Sequence, residues 1–302
     1  MRHGARRSVS AGRAGAVTVR VRALLSGLLL GGALAGMGSA HAAEPARAFA
    51  WPNGARAAVS LAYDDALDSQ LDHALPVLDR HGIRATFYLQ LSNPAVAQRM
   101  AAWRAAARRG HELGNHSLFH QCARSKAERG WVEAHRDLDT TSAEQMRDQV
   151  LLANTMLMAI DGRHERTYTA PCGDKLAGGR AYLPGLHAAF VAIKVGSSDG
   201  VVDAMETLDP HAVPVHAPVG ASGAQLIAIV KEAARRGTMV NFTFHGIGGD
   251  YLTVSSQAHE ELVRFLAANR REYWTGTFLD IMRHARREQA RLKPAPTTPG
   301  AP

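Results

Sequence analysis

A compact apolar run from Ala57 to Tyr63, interrupted by Ser60 alone, stops at two carboxylates, Asp64 and Asp65. A short continuous run of this kind, bounded by polar residues, reads as a strand buried on both faces. After it, Leu71, Ala74, Leu75 and Leu78 recur every three or four residues, which predicts a helix over 68–81 ended by Gly82. The two periods then alternate down the chain. Strands are predicted over 83–89, 111–116, 166–170, 190–195, 238–244 and 273–275. Helices are predicted over 94–109, 142–160, 224–236, 255–269 and 278–291, with Ser142 as a cap and Gly110 and Gly237 as stops. Trp51-Pro52-Asn53-Gly54 reads as an entry turn, and the long stretch 196–223, rich in Gly, Val and Pro, has no clear period. Strands alternating with helices, without a repeat, predict an α/β fold. The expected architecture is parallel β/α in one domain of roughly 240 residues, the size range of a β/α barrel.

The start of the chain has a different character. Residues 1–42 hold six arginines and no acidic residue, with an apolar stretch from Ala23 to Met37 and then Ser39-Ala40-His41-Ala42. That order is the order of a secretory signal peptide cut after Ala42. An apolar stretch of about 15 residues falls short of the ~20 that a spanning helix needs. Cleavage is therefore expected rather than a stable membrane anchor, and the product is expected in the periplasm or outside the cell. The chain divides into a signal peptide over 1–42, a folded domain over 43–292 and a Pro-rich disordered tail over 293–302.

Charge then changes meaning. The chain carries 35 Lys and Arg against 27 Asp and Glu, a net +8 that suggests nucleic acid. Removing the six arginines of the leader leaves 29 against 27, so no nucleic-acid partner is expected. A composition of 46% hydrophobic and 21% charged residues excludes a disordered chain.

In parallel β/α folds, ligand sites gather at the carboxyl ends of the strands. Here those ends carry Asp64-Asp65, His116 and His120, the turn Thr169-Ala170-Pro171-Cys172, and His245. Two histidines four apart share one face of a helical turn and can grip one cation, although unrelated surface histidines show the same spacing. The Asp pair tips the balance towards a site. Adjacent carboxylates repel unless a cation or a proton separates their roles, so one can bind metal while the other accepts a proton. Two His and one carboxylate leave positions open for water and substrate.

These residues resemble the polysaccharide deacetylases with a NodB-type domain, carbohydrate esterase family four. Ala62-Tyr63-Asp64-Asp65-Ala66 stands where that family usually has Thr-Phe-Asp-Asp-Gly. His116-Ser117-Leu118-Phe119-His120 matches its His-Ser/Thr-x-x-His in full, after the typical His111-Glu112-Leu113-Gly114-Asn115. Ile83 to Tyr88 and Phe242-Thr243-Phe244-His245 look like its second strand and its late His-bearing strand. The resemblance covers about residues 56–282, within the domain over 43–292. It implies a single distorted parallel (β/α) barrel of the NodB-homology type. It implies Asp64 as general base, His245 as general acid, and Asp65, His116 and His120 as ligands of a divalent metal. Zinc is the first choice, with cobalt, nickel and manganese as alternatives. Metal-activated water would attack an acetyl carbonyl, with an oxyanion N–H near Pro171 and Cys172.

The chain departs from the family in three places. The third motif commonly carries an Arg that pairs with the catalytic Asp, and Thr169 stands there instead. Ala66 replaces a Gly, and the fourth motif is not recognisable, which leaves Asp199 as the candidate for orienting His245. Cys122 and Cys172, the two cysteines of the chain, fall on both edges of the implied pocket and are expected to form a disulfide. Tyr63, Phe119, Trp131, Tyr251 and Trp274 are candidates for a sugar platform; Tyr251, after a Gly-rich loop, is the best placed, and Trp274 reads as core. The resemblance implies a deacetylase of N-acetylated glycans, with an O-acetyl (xylan-type) esterase or a non-catalytic carbohydrate-binding relative as alternatives. The sequence leaves the oligomeric state open.

Overall fold

Side chains of the first strand, β1 (Ala57–Asp64), divide by parity, because successive residues of a strand point to opposite faces. Ala57, Val59, Leu61 and Tyr63 join a core shared with helical residues such as Leu75, Leu226 and Leu262. Ala58 and Ala62 join a second, inner cluster with Tyr88, Ala192, Val213 and Met239. A strand covered on both faces explains why apolar residues occupy both parities of the run. The computed structural model describes residues 48–196 and 198–293; the predicted signal peptide and the Pro-rich tail from 294 onward lie outside the described residues.

After β1 come α1 (Leu75–Arg80), β2 (Thr86–Leu89), α2 (Pro94–Gln98), α3 (Met100–Arg108) and β3 (Glu112–Asn115). Next are α4 (Ala143–Asp161), β4 (Thr167–Thr169), a hairpin of β5 (Leu176–Ala177) and β6 (Arg180–Ala181), and β7 (Ala192–Lys194). The chain ends with α5 (Gly223–Arg236), β8 (Met239–Phe244), α6 (Ser256–Ala268), β9 (Tyr273–Gly276) and α7 (Phe278–Leu292). Seven strands form one sheet in the order β7-β4-β3-β2-β1-β8, with β9 also paired to β1. Every pairing in it is parallel. β9 pairs residues 57–60 of β1 and β2 pairs residues 62–64.

The segment 213–216, expected to lack structure, hydrogen-bonds both outer strands. Val213 N–H donates to Ile193 O and Val195 N–H to Val213 O, while His216 N–H donates to Asn241 O and Thr243 N–H to His216 O. It bridges β7 to β8 and curls the sheet into the expected distorted β/α barrel.

Some boundaries moved. The helix predicted over 68–81 opens with a wide π-type turn over Gln70–Ala74 before α1. The helix predicted over 94–109 breaks at Arg99, which sits off helical geometry, at φ −117° and ψ 25°, beside an ion pair to Asp72. Ser142 caps α4 with Gln145 in a reciprocal capping box, as its spacing predicts. Among the described residues no helix is long and apolar enough to cross a membrane.

Candidate active site

A cleft of about 890 Å³ opens where β1, β3, β4, β7 and β8 end, and Asp64, Asp65, His116, His120, Lys194 and His245 line it. The turn after β1 aims its two carboxylates apart. Asp65 and Ala66 both adopt left-handed backbone, at φ 80° and 60°. For residues other than glycine this costs about 1–2 kcal/mol each. Two side-chain amides hold the turn: Gln70 Nε2 donates to Asp64 O at 2.5 Å and Asn93 Nδ2 to Asp65 O at 2.9 Å. Ala66 therefore occupies a conformation that glycine would adopt without strain.

His116 and His120 meet without a helical turn, contrary to the spacing argument. Ser117 and His120 are left-handed, at φ 65° and 52°. Ser117 N–H donates to Asn115 Oδ1 at 2.7 Å, and His120 N–H to Ser117 Oγ at 3.1 Å. This tight loop brings the rings edge to face with centroids 4.8 Å apart.

Asp65 Oδ1 lies 3.0 Å from His116 Nε2 and 3.2 Å from His120 Nε2. His116 Nδ1 is 2.9 Å from Thr169 O, a carbonyl that can only accept, so that nitrogen carries the proton. In a neutral His116 ring the Nε2 lone pair then faces Asp65 Oδ1, a buried oxygen with no hydrogen bond of its own. Acceptor atoms crowded together need a positive charge between them. One atom from each of Asp65, His116 and His120 lies within 4.8 Å of the others, which fits a divalent cation with a second-shell carbonyl fixing one imidazole. The charges around the cluster make the same demand. Burial works to raise the Asp65 carboxyl, but the adjoining His116 and His120 imidazoles overcome it and hold it well below the usual range. Burial opposes charge on His116, yet Asp64 and Asp65 lift it above the ordinary imidazole value. A proton there stands in for a cation.

On the far side of Asp65, His245 Nε2 lies 3.9 Å from Oδ2. Burial pushes the His245 imidazole down, against the pull of Asp65 and Asp64. Tyr251 donates its hydroxyl to Asp65 Oδ2 at 2.8 Å. Asp199 does not orient His245. It is exposed, ion-paired to Arg236 at 3.6 Å, accepts from Val201 N–H, and is not among the residues lining the cleft. The chain leaving β7 carries it outward, towards α5.

Asp64 has a partner that the motif reading missed. Lys194 Nζ lies 3.3 Å from Asp64 Oδ1 and donates to Thr243 Oγ1 at 2.9 Å. The same ammonium sits 4.0 Å from the centre of the Tyr88 ring. Thr169 donates its hydroxyl to the other carboxylate oxygen, Oδ2, at 3.3 Å. The visible signal was one lysine in the apolar strand Val191-Ala192-Ile193-Lys194-Val195.

Cys122 and Cys172 are disulfide-bonded, as expected, and the bond ties the loop after His120 to the turn after β4. Asp174 reinforces it, accepting from Ala123 N–H, Lys126 Nζ and Arg129 Nη1, while Arg129 Nη2 donates to Cys172 O. Cys172 lines the cleft; Pro171, expected beside it, is buried behind. Of the aromatic candidates, Phe119, Trp131 and Tyr251 line the cleft and stand exposed. Tyr63 is fully buried, stacked between Phe87 and Phe244, and Trp274 packs near Trp51 and His284, so neither meets a ligand in the cleft.

Residues 52–183 match the family profile described as polysaccharide deacetylase. Among curated proteins nothing matches the chain. A Mycobacterium smegmatis structure assigned to the polysaccharide deacetylases superposes with a TM-score of 0.56 at 16% identity, covering 85% of this chain and 99% of that one. The peptidoglycan deacetylase PdaC from Bacillus subtilis aligns at 16% identity and TM-score 0.47, over 78% of this chain and 94% of its own. A family 4 acetyl xylan esterase from Clostridium thermocellum, solved with cobalt, aligns at 18% identity and TM-score 0.46, over 74% and 90%.

Proposed function

From the premise that residues 52–183 form a polysaccharide deacetylase domain, we propose that this chain is a metal-dependent hydrolase that removes acetyl groups from N-acetylated glycans. The observation that carries the proposal is the convergence of Asp65 Oδ1, His116 Nε2 and His120 Nε2 in a cleft that also holds Asp64 and His245. A divalent ion held by these three, zinc in the first instance, supplies Lewis acidity to an acyl carbonyl and makes water easier to deprotonate.

The protein's own groups do the rest. Asp64 accepts the proton of the attacking water, as a carboxylate one residue from the ligand set and turned away from it. His245, across Asp65, protonates the departing nitrogen. Water's oxygen ends in acetate, and its hydrogen ends on the freed amine. Exposed Phe119, Trp131 and Tyr251 offer faces to sugar rings. The basic and apolar segment over 1–42 supports export to the periplasm or beyond.

Acetate release from acetylated chito-oligosaccharides and from acetylxylan, measured with metal content, tests the reading. Wild-type protein is expected to hold about one divalent ion and to act on the chito-oligosaccharide. Asp64→Asn should lose roughly 10²-fold or more in kcat with the metal retained. His116→Ala should lose the metal. Activity on acetylxylan alone would assign the site to O-acetyl esters, and metal-loaded wild type inert on every acetylated glycan would overturn the enzyme reading.

A further inference from the structure

We infer that Lys194 is the positioning residue for Asp64, reaching it from β7 across the inside of the barrel. The inference rests on the proposed role of Asp64 as the proton acceptor. β7 and β1 are far apart in the strand order, with β4, β3 and β2 between them. Only the curl of the sheet lets a side chain of one touch the other.

The ammonium is completely enclosed and every neighbour it has is specific. Burying a lone ammonium is costly unless a carboxylate and hydrogen-bond acceptors surround it. Asp64 Oδ1 is the one carboxylate oxygen within hydrogen-bond distance among the described residues, at 3.3 Å. Thr243 Oγ1 takes a second proton of the ammonium at 2.9 Å, and the Tyr88 ring faces it at 4.0 Å. Thr243 stands on β8 two residues before His245, which directly follows the strand's end, so one lysine ties the strand of the acceptor to the strand that leads into the donor. Burial alone lowers the Lys194 pKa, and the Asp64 charge works against that fall. The pair is therefore mutually dependent.

Thr169 completes the arrangement. Its hydroxyl reaches Asp64 Oδ2 at 3.3 Å, on the side opposite Lys194. A neutral, short residue is adequate there because the positive charge arrives from β7. The cation has moved one strand along the sheet, since β4 and β7 are hydrogen-bonded neighbours with Thr169 opposite Lys194 in register. A longer cationic side chain at 169 would approach the same carboxylate from the other side.

Two measurements on the full-length protein test this. The first is a double-mutant cycle in thermal unfolding, which needs no activity. Lys194→Met should lower Tm by several degrees more in the wild-type background than in Asp64→Asn, because only the former strands a buried carboxylate. Equal losses in the two backgrounds would overturn the inference. The second is kinetic: Lys194→Met should lose roughly 10²-fold in kcat with KM within threefold and metal content unchanged. Adding Thr169→Arg to it should recover at least tenfold. A kcat for Lys194→Met within threefold of wild type would also overturn the inference. A wild type that releases no acetate counts against the proposed function, and the Tm cycle still decides the pair.

Discussion

Gly114 sits in the centre of β3, where a glycine weakens a strand unless something needs the space. The Tyr88 ring needs it. A Cβ added at 114 would lie 2.4 Å from Tyr88 Cδ1 and 2.5 Å from Cε1. Ordinary carbon contacts begin near 3.5 Å, so Gly114→Ala must displace the ring or the strand by roughly 1 Å. The ring cannot yield freely. It is fully buried, its hydroxyl is tied to Thr167 Oγ1 at 2.7 Å, and its face carries Lys194. Overpacking at such a place costs about 1–3 kcal/mol. For a domain of this size each kcal/mol moves Tm by about 2–4 °C, so a fall of roughly 2–12 °C is expected by calorimetry. Gly130→Ala, where nothing lies within 4 Å of the added carbon, is the matched control and should be silent. The penalty of Gly114→Ala should shrink in a Tyr88→Leu background, since the clash is with the ring. The shift should also pass from the ring to Lys194 and on to Asp64, and lower kcat while the metal stays bound. A Tm for Gly114→Ala within about 1 °C of wild type would refute the steric reasoning, because an overlap of this depth cannot be relieved without cost.

Two further outcomes follow from groups outside the reaction. His259 is buried beside the Tyr63 hydroxyl, 2.6 Å from it, and burial pushes its imidazole from 6.5 down to about 3. The neutral ring therefore contributes stability that is whole above pH 6.5 and is lost as pH falls towards 3, on the order of 5 kcal/mol in all. The double variant Tyr63→Phe/His259→Leu should show a flatter Tm between those limits, and a slope equal to wild type would exclude His259 as the acid-sensitive group. The Cys122–Cys172 bond closes a loop with a sequence separation of 50, worth roughly 4 kcal/mol in chain entropy. Reductant should lower the wild-type Tm by about 10 °C and leave Cys122→Ala/Cys172→Ala unmoved, while two titratable thiols in the denatured, unreduced protein would deny the bond.

What the sequence disclosed and what it withheld separate along one physical line. β1 and the Asp64-Asp65 pair were legible because a strand buried on both faces writes itself as a run of apolar residues, here with Ser60 as the one interruption, and its polar end is conspicuous. The pairing of His116 with His120 was legible as a spacing, but its backbone was not: the left-handed turns at Ser117 and His120 depend on side-chain bonds from Asn115 and Ser117, and any residue type can be forced there by such bonds. The closing segment 213–216 was hidden because Pro214 breaks the pattern and each of its ends pairs with a different strand. That concealment propagated. Without the closure, nothing said which face of β7 turns inward, so Lys194 went unremarked in an apolar strand, and Asp199, just beyond that strand, stood as the candidate for orienting His245. Parity settles both once the barrel is closed. Ala192 belongs to the inner cluster and Ile193 to the outer one, so Lys194, two residues after Ala192, must point inward. An inward lysine there meets Asp64, because the other inner carboxylate, Glu112, is taken up by the hydroxyls of Thr86 and Thr167 and the N–H of Leu279. The charge balance of the inner face, rather than proximity in sequence, selects the partner of Asp64.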